Sequence, residues 1–177
     1  MRSAITAMTA ALALVALAGV AVAQDAARAE PVKAVASFVD GSGNAAGTAS
    51  LAEVAGGVLI TLEVLGLPAG EWVAFHVHET GSCDPATGHD SAGGHFNPAG
   101  SEHGYLAANG PHAGDMPNQP VGADGVLRAQ VFNSAVTLAD GDAGIRGRAL
   151  MIHAKPDDYA SQPSGAAGDP LACGVIE

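Results

Sequence analysis

From residue 32 onward the chain is organised by alternation. Runs at 32–39, 48–54, 58–65, 71–78, 126–132, 148–153 and 171–176 carry β-branched and apolar side chains at every second position, and breaks such as Ala55-Gly56-Gly57 and Leu67-Pro68-Ala69-Gly70 separate them. In the clearest run Val58, Ile60, Leu62 and Val64 fall on one face, because successive side chains of an extended chain point to opposite sides. No comparable stretch after the first residues carries the spacing of an amphipathic helix. Many short strands with glycine-rich turns predict an all-β chain, folded as a sandwich or barrel.

One segment breaks this rhythm. Residues 79–125 contain no good strand over 47 positions, yet hold four of the seven histidines. A loop of that length inside a compact domain is functional or is organised by something bound to it. On the strand before it, His76 and His78 lie two apart and share a face, while Val73, Phe75 and Val77 point to the other side, toward a core. The loop adds His95, His103, His112 and Asp115. Three imidazoles and one carboxylate are the closed set that structural zinc takes, and His112 and Asp115, three apart, can be presented by one turn of chain. His153, ending another strand, completes an all-imidazole set with His76 and His78, of the kind that suits copper or zinc. His89 has no part in this scheme and is expected on the surface.

The first residues have a different character. Arg2 precedes an apolar run at 10–22, and Ala21-Val22-Ala23 has the small-residue pattern of a cleavage site. Residues 1–23 therefore read as a secretory signal peptide, followed by a short mobile lead at 24–30 and a single domain at 31–177. The run of 13 residues is short of the ~20 that a membrane span needs, so no membrane association is expected after cleavage. The alanine-rich leader has a bacterial style, and the expected location is the periplasm or the medium. In that oxidising setting the two cysteines, Cys83 and Cys173, read as a disulfide. A net charge of −11, from 7 Lys and Arg against 18 Asp and Glu, excludes a basic nucleic-acid-binding surface.

The motifs taken together carry a resemblance. Phe75-His76-Val77-His78-Glu79, Gly94-His95-Phe96-Asn97-Pro98, Pro111-His112-Ala113-Gly114-Asp115, Gly147-Arg148-Ala149-Leu150-Met151-Ile152-His153 and Leu171-Ala172-Cys173-Gly174-Val175-Ile176 resemble, in order, the copper/zinc superoxide dismutase family in its secreted bacterial form. The resemblance implies an eight-stranded Greek-key β-barrel, an immunoglobulin-like sandwich with two long functional loops. It implies copper bound by His76, His78, His95 and His153, zinc bound by His95, His103, His112 and Asp115, and His95 shared between them. It makes Asp157 the carboxylate that links ligands of both metals, and Cys83–Cys173 the family disulfide. The implied reaction is a redox cycle in which one superoxide anion is oxidised to O₂ and a second, with two protons, is reduced to hydrogen peroxide.

The chain departs from the family at one place. An arginine beside the copper, three residues before the cysteine of the last motif, guides and docks the anion; here Pro170 stands there, after Asp169. The loop at 154–170 holds one cation, Lys155, against Asp157, Asp158 and Asp169. A working but slower dismutase is expected, unless Lys155 or Arg146 replaces the missing charge in space. The alternative is a copper/zinc-binding protein of the same fold, used in metal storage or delivery. Family members occur as monomers and dimers, so a homodimer is possible.

Overall fold

The computed structural model describes residues 33–177. The expected signal peptide and the lead at 24–30 lie outside the described residues. Nine strands form: β1 (Lys33–Asp40), β2 (Ala45–Val54), β3 (Gly57–Val64), β4 (Trp72–Val73), β5 (Phe75–His78), β6 (Gln119–Pro120), β7 (Leu127–Asn133), β8 (Ala149–His153) and β9 (Pro170–Ile176). Seven pair antiparallel in the order β5-β8-β9-β1-β2-β3-β7, and β4 pairs with β6 in a small second sheet. The only helices among the described residues are two single 3₁₀ turns, Pro85–Thr87 and Asp90–Ala92.

The expected strand at 71–78 is broken at Ala74. Its N–H bonds to the Lys155 carbonyl and its carbonyl accepts from the His153 N–H, so the chain leaves the small sheet and joins the large one at that residue. Counted as one interrupted strand, 72–78 makes a total of eight strands, the number the barrel requires. The expectation of no strand within 79–125 misses only the two residues of β6.

Alternation decides what each strand buries. Phe38, Leu51, Ile60, Leu62, Phe75, Val77, Leu127, Leu150, Ile152 and Ile176 meet in one core, each burial worth about 1.5–3 kcal/mol. β5 and β8 are buried on both faces. Behind Leu150 and Ile152, the other face of β8 carries Ala149 and Met151 into a second apolar cluster with Ala92 and Cys173. Cys83 is bonded to Cys173, with their Cα atoms 5.5 Å apart, so the start of the long loop is fastened to β9.

β5 is an edge strand, and an uncovered edge exposes unpaired backbone groups. The long loop covers it: Val77 N–H donates to the Gly114 carbonyl, Phe96 N–H to the Val77 carbonyl and Glu79 N–H to the Gly94 carbonyl. A side chain at position 114 would overlap the Val77 carbonyl, so only glycine lets the loop come this close. This pairing sets His95 opposite His78 and Asp115 opposite His76.

Candidate metal centre

Two clusters of ligand atoms result. His76, His78, His95 and His153 form one and His95, His103, His112 and Asp115 the other, with the ligand atoms of each within 4.8 Å of one another. The sheet supplies His76, His78 and His153, and the long loop supplies the rest. His95 stands between them, its ring centroid 4.0 Å from that of His76, 5.1 Å from His78, 5.0 Å from His103 and 5.6 Å from His112. All seven residues are buried.

The hydrogen bonds of the outer ring nitrogens fix which atom faces each cluster. His78 Nδ1 is 2.7 Å from the Gly93 carbonyl and His153 Nδ1 is 3.1 Å from the Gly168 carbonyl. A carbonyl only accepts, so in both rings Nδ1 carries the proton and Nε2 of the neutral ring is a bare lone pair. Those two lone pairs face each other at 3.2 Å. Only a cation between or upon them makes that arrangement favourable.

The same logic holds across Asp157. His76 Nε2 donates to its Oδ2 at 2.9 Å and His103 Nε2 to its Oδ1 at 3.0 Å. The inner Nδ1 of the neutral His76 ring is then unprotonated, and it is buried with no partner. His103 Nδ1 lies 3.1 Å from Asp115 Oδ1, so this ring stands between the two carboxylates. His95 Nδ1 lies 2.9 Å from the same oxygen, and its Nε2 has no partner on the side of the first cluster. Asp115 Oδ2 is held by the N–H groups of Gly104 and His112, both at 2.9 Å.

Burial keeps the three imidazoles of the sheet neutral. It pushes His76 and His78 down to about 3 and His153 to about 4, with repulsion from neighbouring imidazoles adding to the effect in each. Burial alone would raise Asp157, but the bonds from His76, His103 and the Tyr159 N–H outweigh it and hold the acid near 2. Asp115 is likewise held below its ordinary range, by His95 and Gly104, against its own burial. At neutral pH His76, His78 and His153 thus offer neutral nitrogens, and Asp115 an ionised carboxylate. Six imidazoles and Asp115 fit two dications, an all-nitrogen set suiting copper or zinc and a three-nitrogen, one-carboxylate set suiting zinc.

The second loop locks over the centre. Gln162 exchanges two bonds of 2.9 Å with the His103 backbone. A side chain at Gly165 would strike Asp157 Oδ1 and His103 Nε2, so only glycine fits over that contact. The carbonyls of Gly93 and Gly168, which orient His78 and His153, were not visible as functional groups in the sequence; the glycines flanking the ligands were their one trace.

His89 is not the surface residue expected. It is 1% exposed, and neither ring nitrogen has a hydrogen-bond partner. The reason is the fold of residues 84–92. Ser91 accepts from the Asp84 N–H and donates to the Ser82 carbonyl, and Ala92 is buried against Met151 and Cys173. The segment is thereby laid back over the centre. His89 lines a cavity of about 620 Å³ together with His78, His95, His153, Asp169 and Pro170. Pro170, the first residue of β9, is half-buried there, opposite His153 at a bulge in the ladder. Arg146 is elsewhere, donating to the carbonyls of Leu138 and Lys33. The exposed Lys155 runs its stem over Gly168, at the rim.

Comparison with known proteins agrees with this arrangement. The family model for copper/zinc superoxide dismutase matches residues 45–176. Superoxide dismutase [Cu-Zn] 2 of Aquifex aeolicus is 48% identical over 151 residues, covering 83% of this chain and 88% of its own. Among solved structures, a SOD-like protein from Bacillus subtilis is 36% identical, with a TM-score of 0.76, over 79% of this chain and 95% of that one. The Cu/Zn superoxide dismutase of Brucella abortus is 29% identical, with a TM-score of 0.67, over 82% of this chain and all of its own. A match that begins at β2, ends at β9 and takes in every residue of both clusters makes this chain a member of the copper/zinc superoxide dismutase family.

Proposed function

We propose that this chain is an exported superoxide dismutase, with copper held by His76, His78, His95 and His153 and zinc by His95, His103, His112 and Asp115. The observation that carries the reading is the pair of opposed lone pairs on His78 and His153, 3.2 Å apart, each exposed by its own ring's bond to a carbonyl. Copper held there would supply one-electron redox chemistry. The protein's part is to hold the ligands and to deliver protons. The Gly93 and Gly168 carbonyls fix two rings, and Asp157 fixes one in each cluster. His95 takes a proton at Nε2, the unpartnered atom on the side of the first cluster, and passes it to the reduced oxygen species as product leaves. The second proton comes from water entering the cavity. The leader at 1–23 and the Cys83–Cys173 bond support export; no helix among the described residues is long and apolar enough to cross a membrane.

The reaction is slower than one served by a guiding cation. No Lys or Arg lines the cavity among the described residues, while Glu79, Asp90 and Asp169 do. Local positive potential raises anion association by about 10–10³, and its absence costs one or two decades. The test is a dismutase assay with copper and zinc determined on the same sample. One ion of each per chain, with turnover that disappears when copper is removed, is the expected result. Both metals bound without turnover would identify a metal-storage or delivery protein instead, and no stoichiometric copper would end the reading.

A further inference from the structure

The cavity over the first cluster admits an anion yet has almost nothing to receive one. Its acidic side chains repel it, Pro170 has no N–H, the Asn97 amide donates to the Ser101 carbonyl, and four of its five histidines belong to the metal clusters, which leaves the Ser164 hydroxyl and one histidine. The fifth is His89. Its backbone is in the left-handed region at φ +67°, an uncommon conformation for a residue with a side chain. Its imidazole is closed into the cavity wall with both nitrogens unpartnered. Buried polar groups are nearly always hydrogen-bonded, so a ring held this way is paying for a bond it does not make. Because it makes none, turning about its side-chain bonds into the cavity breaks none.

We propose that His89 is the anion-docking donor of this cavity: its ring turns out of the wall and gives an N–H to a small anion bound over the copper cluster. The inference rests on the function proposed above, in which that anion is superoxide. A neutral imidazole suffices, since one of its nitrogens always carries a proton. The Cys83–Cys173 bond, six residues before His89, keeps the segment over the cavity.

Azide is the probe, because it binds copper(II) as a small anion and gives an absorption band that reports its affinity without turnover. On copper- and zinc-loaded protein, His89→Phe fills the same space without a donor and is expected to weaken azide about tenfold. His89→Gln restores a donor and recovers most of the loss, and the copper spectrum without azide stays the same in all three proteins. Azide affinity unchanged in His89→Phe, or lowered as much in His89→Gln, overturns the proposal. A second measurement uses the unaltered protein. With the other six histidines on metals, His89 is the one imidazole left for an acylating reagent, and azide is expected to slow its modification, located by mass spectrometry. No modification of His89, or the same rate with and without azide, overturns the proposal. Should the unaltered protein bind no copper, the azide band is missing altogether, and it is the proposed function that fails.

Discussion

Asp157 touches one ligand of each cluster, and replacing it by asparagine separates what the sheet holds from what the loops hold. The carboxylate accepts at Oδ2 from His76 and at Oδ1 from His103, and Oδ1 also takes the Tyr159 N–H at 2.6 Å. Asparagine has nearly the same shape but one oxygen, so one of the two imidazole N–H groups must face an NH₂ and lose its acceptor. Removing a partner of this kind costs about 10–100-fold in metal affinity, or about 1.4–2.7 kcal/mol. The loss falls unevenly. His76, His78 and His153 sit on β5 and β8, buried on both faces and paired in the sheet. His95, His103, His112 and Asp115 lie in a loop that depends on its ties to the second loop, of which the Asp157–His103 bond is one and the Gln162–His103 pair another. Asp157→Asn is therefore expected to weaken zinc toward the upper end of that range and copper toward the lower. The assay is competition against chelators, with both metals measured on the same sample. Unchanged zinc affinity, or copper lost while zinc is kept, would refute the argument that the sheet positions its ligands independently.

Pro170→Arg places a cation in the cavity; kcat/KM at low ionic strength should rise about tenfold or more, and the gain should shrink as salt screens it, whereas equal rates at low salt would remove steering from the account. Replacing both Cys83 and Cys173 by alanine opens a loop spanning a separation of 90 residues; chain entropy puts the loss at about 4–5 kcal/mol, read as a lower urea midpoint, with a steeper slope because the freed unfolded chain exposes more surface. In metal-free protein His76 and His78 titrate near 3 and His153 near 4, below the ordinary 6.5, so between those values the unfolded chain binds more protons than the folded one. Their contribution is complete above pH 6.5 and is lost as pH falls toward 3, by at most about 4 kcal/mol per pH unit; urea unfolding at pH 7 and pH 5 measures it, and equal stabilities would contradict the neutral assignment of these rings. Gly165→Ala should loosen zinc about as Asp157→Asn does, since its methyl meets Asp157 and His103; chelator competition that finds zinc unmoved would show that the loop gives way there.

The strands were legible because period two states both where they run and what they bury. Val58, Ile60, Leu62 and Val64 named their own core face, and each of the longer strands falls within a few residues of its alternating run. The placing of His76 and His78 side by side was legible because a histidine two positions from another on a strand must share its face. What lay beyond reach was set by contacts between distant residues. Ala74 breaks its strand because of backbone bonds to Lys155 and His153, some eighty positions away. His89 reads as a polar residue in a glycine-rich loop, with nothing nearby to bury it. Its burial comes from the disulfide and from Ala92 packing on β8 and β9, and no local pattern encodes either.

The balance of charge connects these observations. A chain of net charge −11 repels an anionic substrate at long range, and at the centre it sets two ionised carboxylates and six imidazoles out of water. Without cations that interior is poorly satisfied: lone pairs oppose each other between His78 and His153, and His76 Nδ1 and His95 Nε2 are buried with no partner. Two dications satisfy them and leave the centre positive inside an acidic shell. The attraction that shell cannot exert at a distance is then supplied only at contact, by the metal and by whatever donor shares the cavity with it. An anion that arrives is held by short-range bonds and not by a field, so salt acts on its capture mainly by screening the long-range repulsion. For this chain the association rate should hold or rise between low and moderate ionic strength, and a steep fall would mean that a cation outside the cavity, with Lys155 at the rim the nearest candidate, guides the substrate after all.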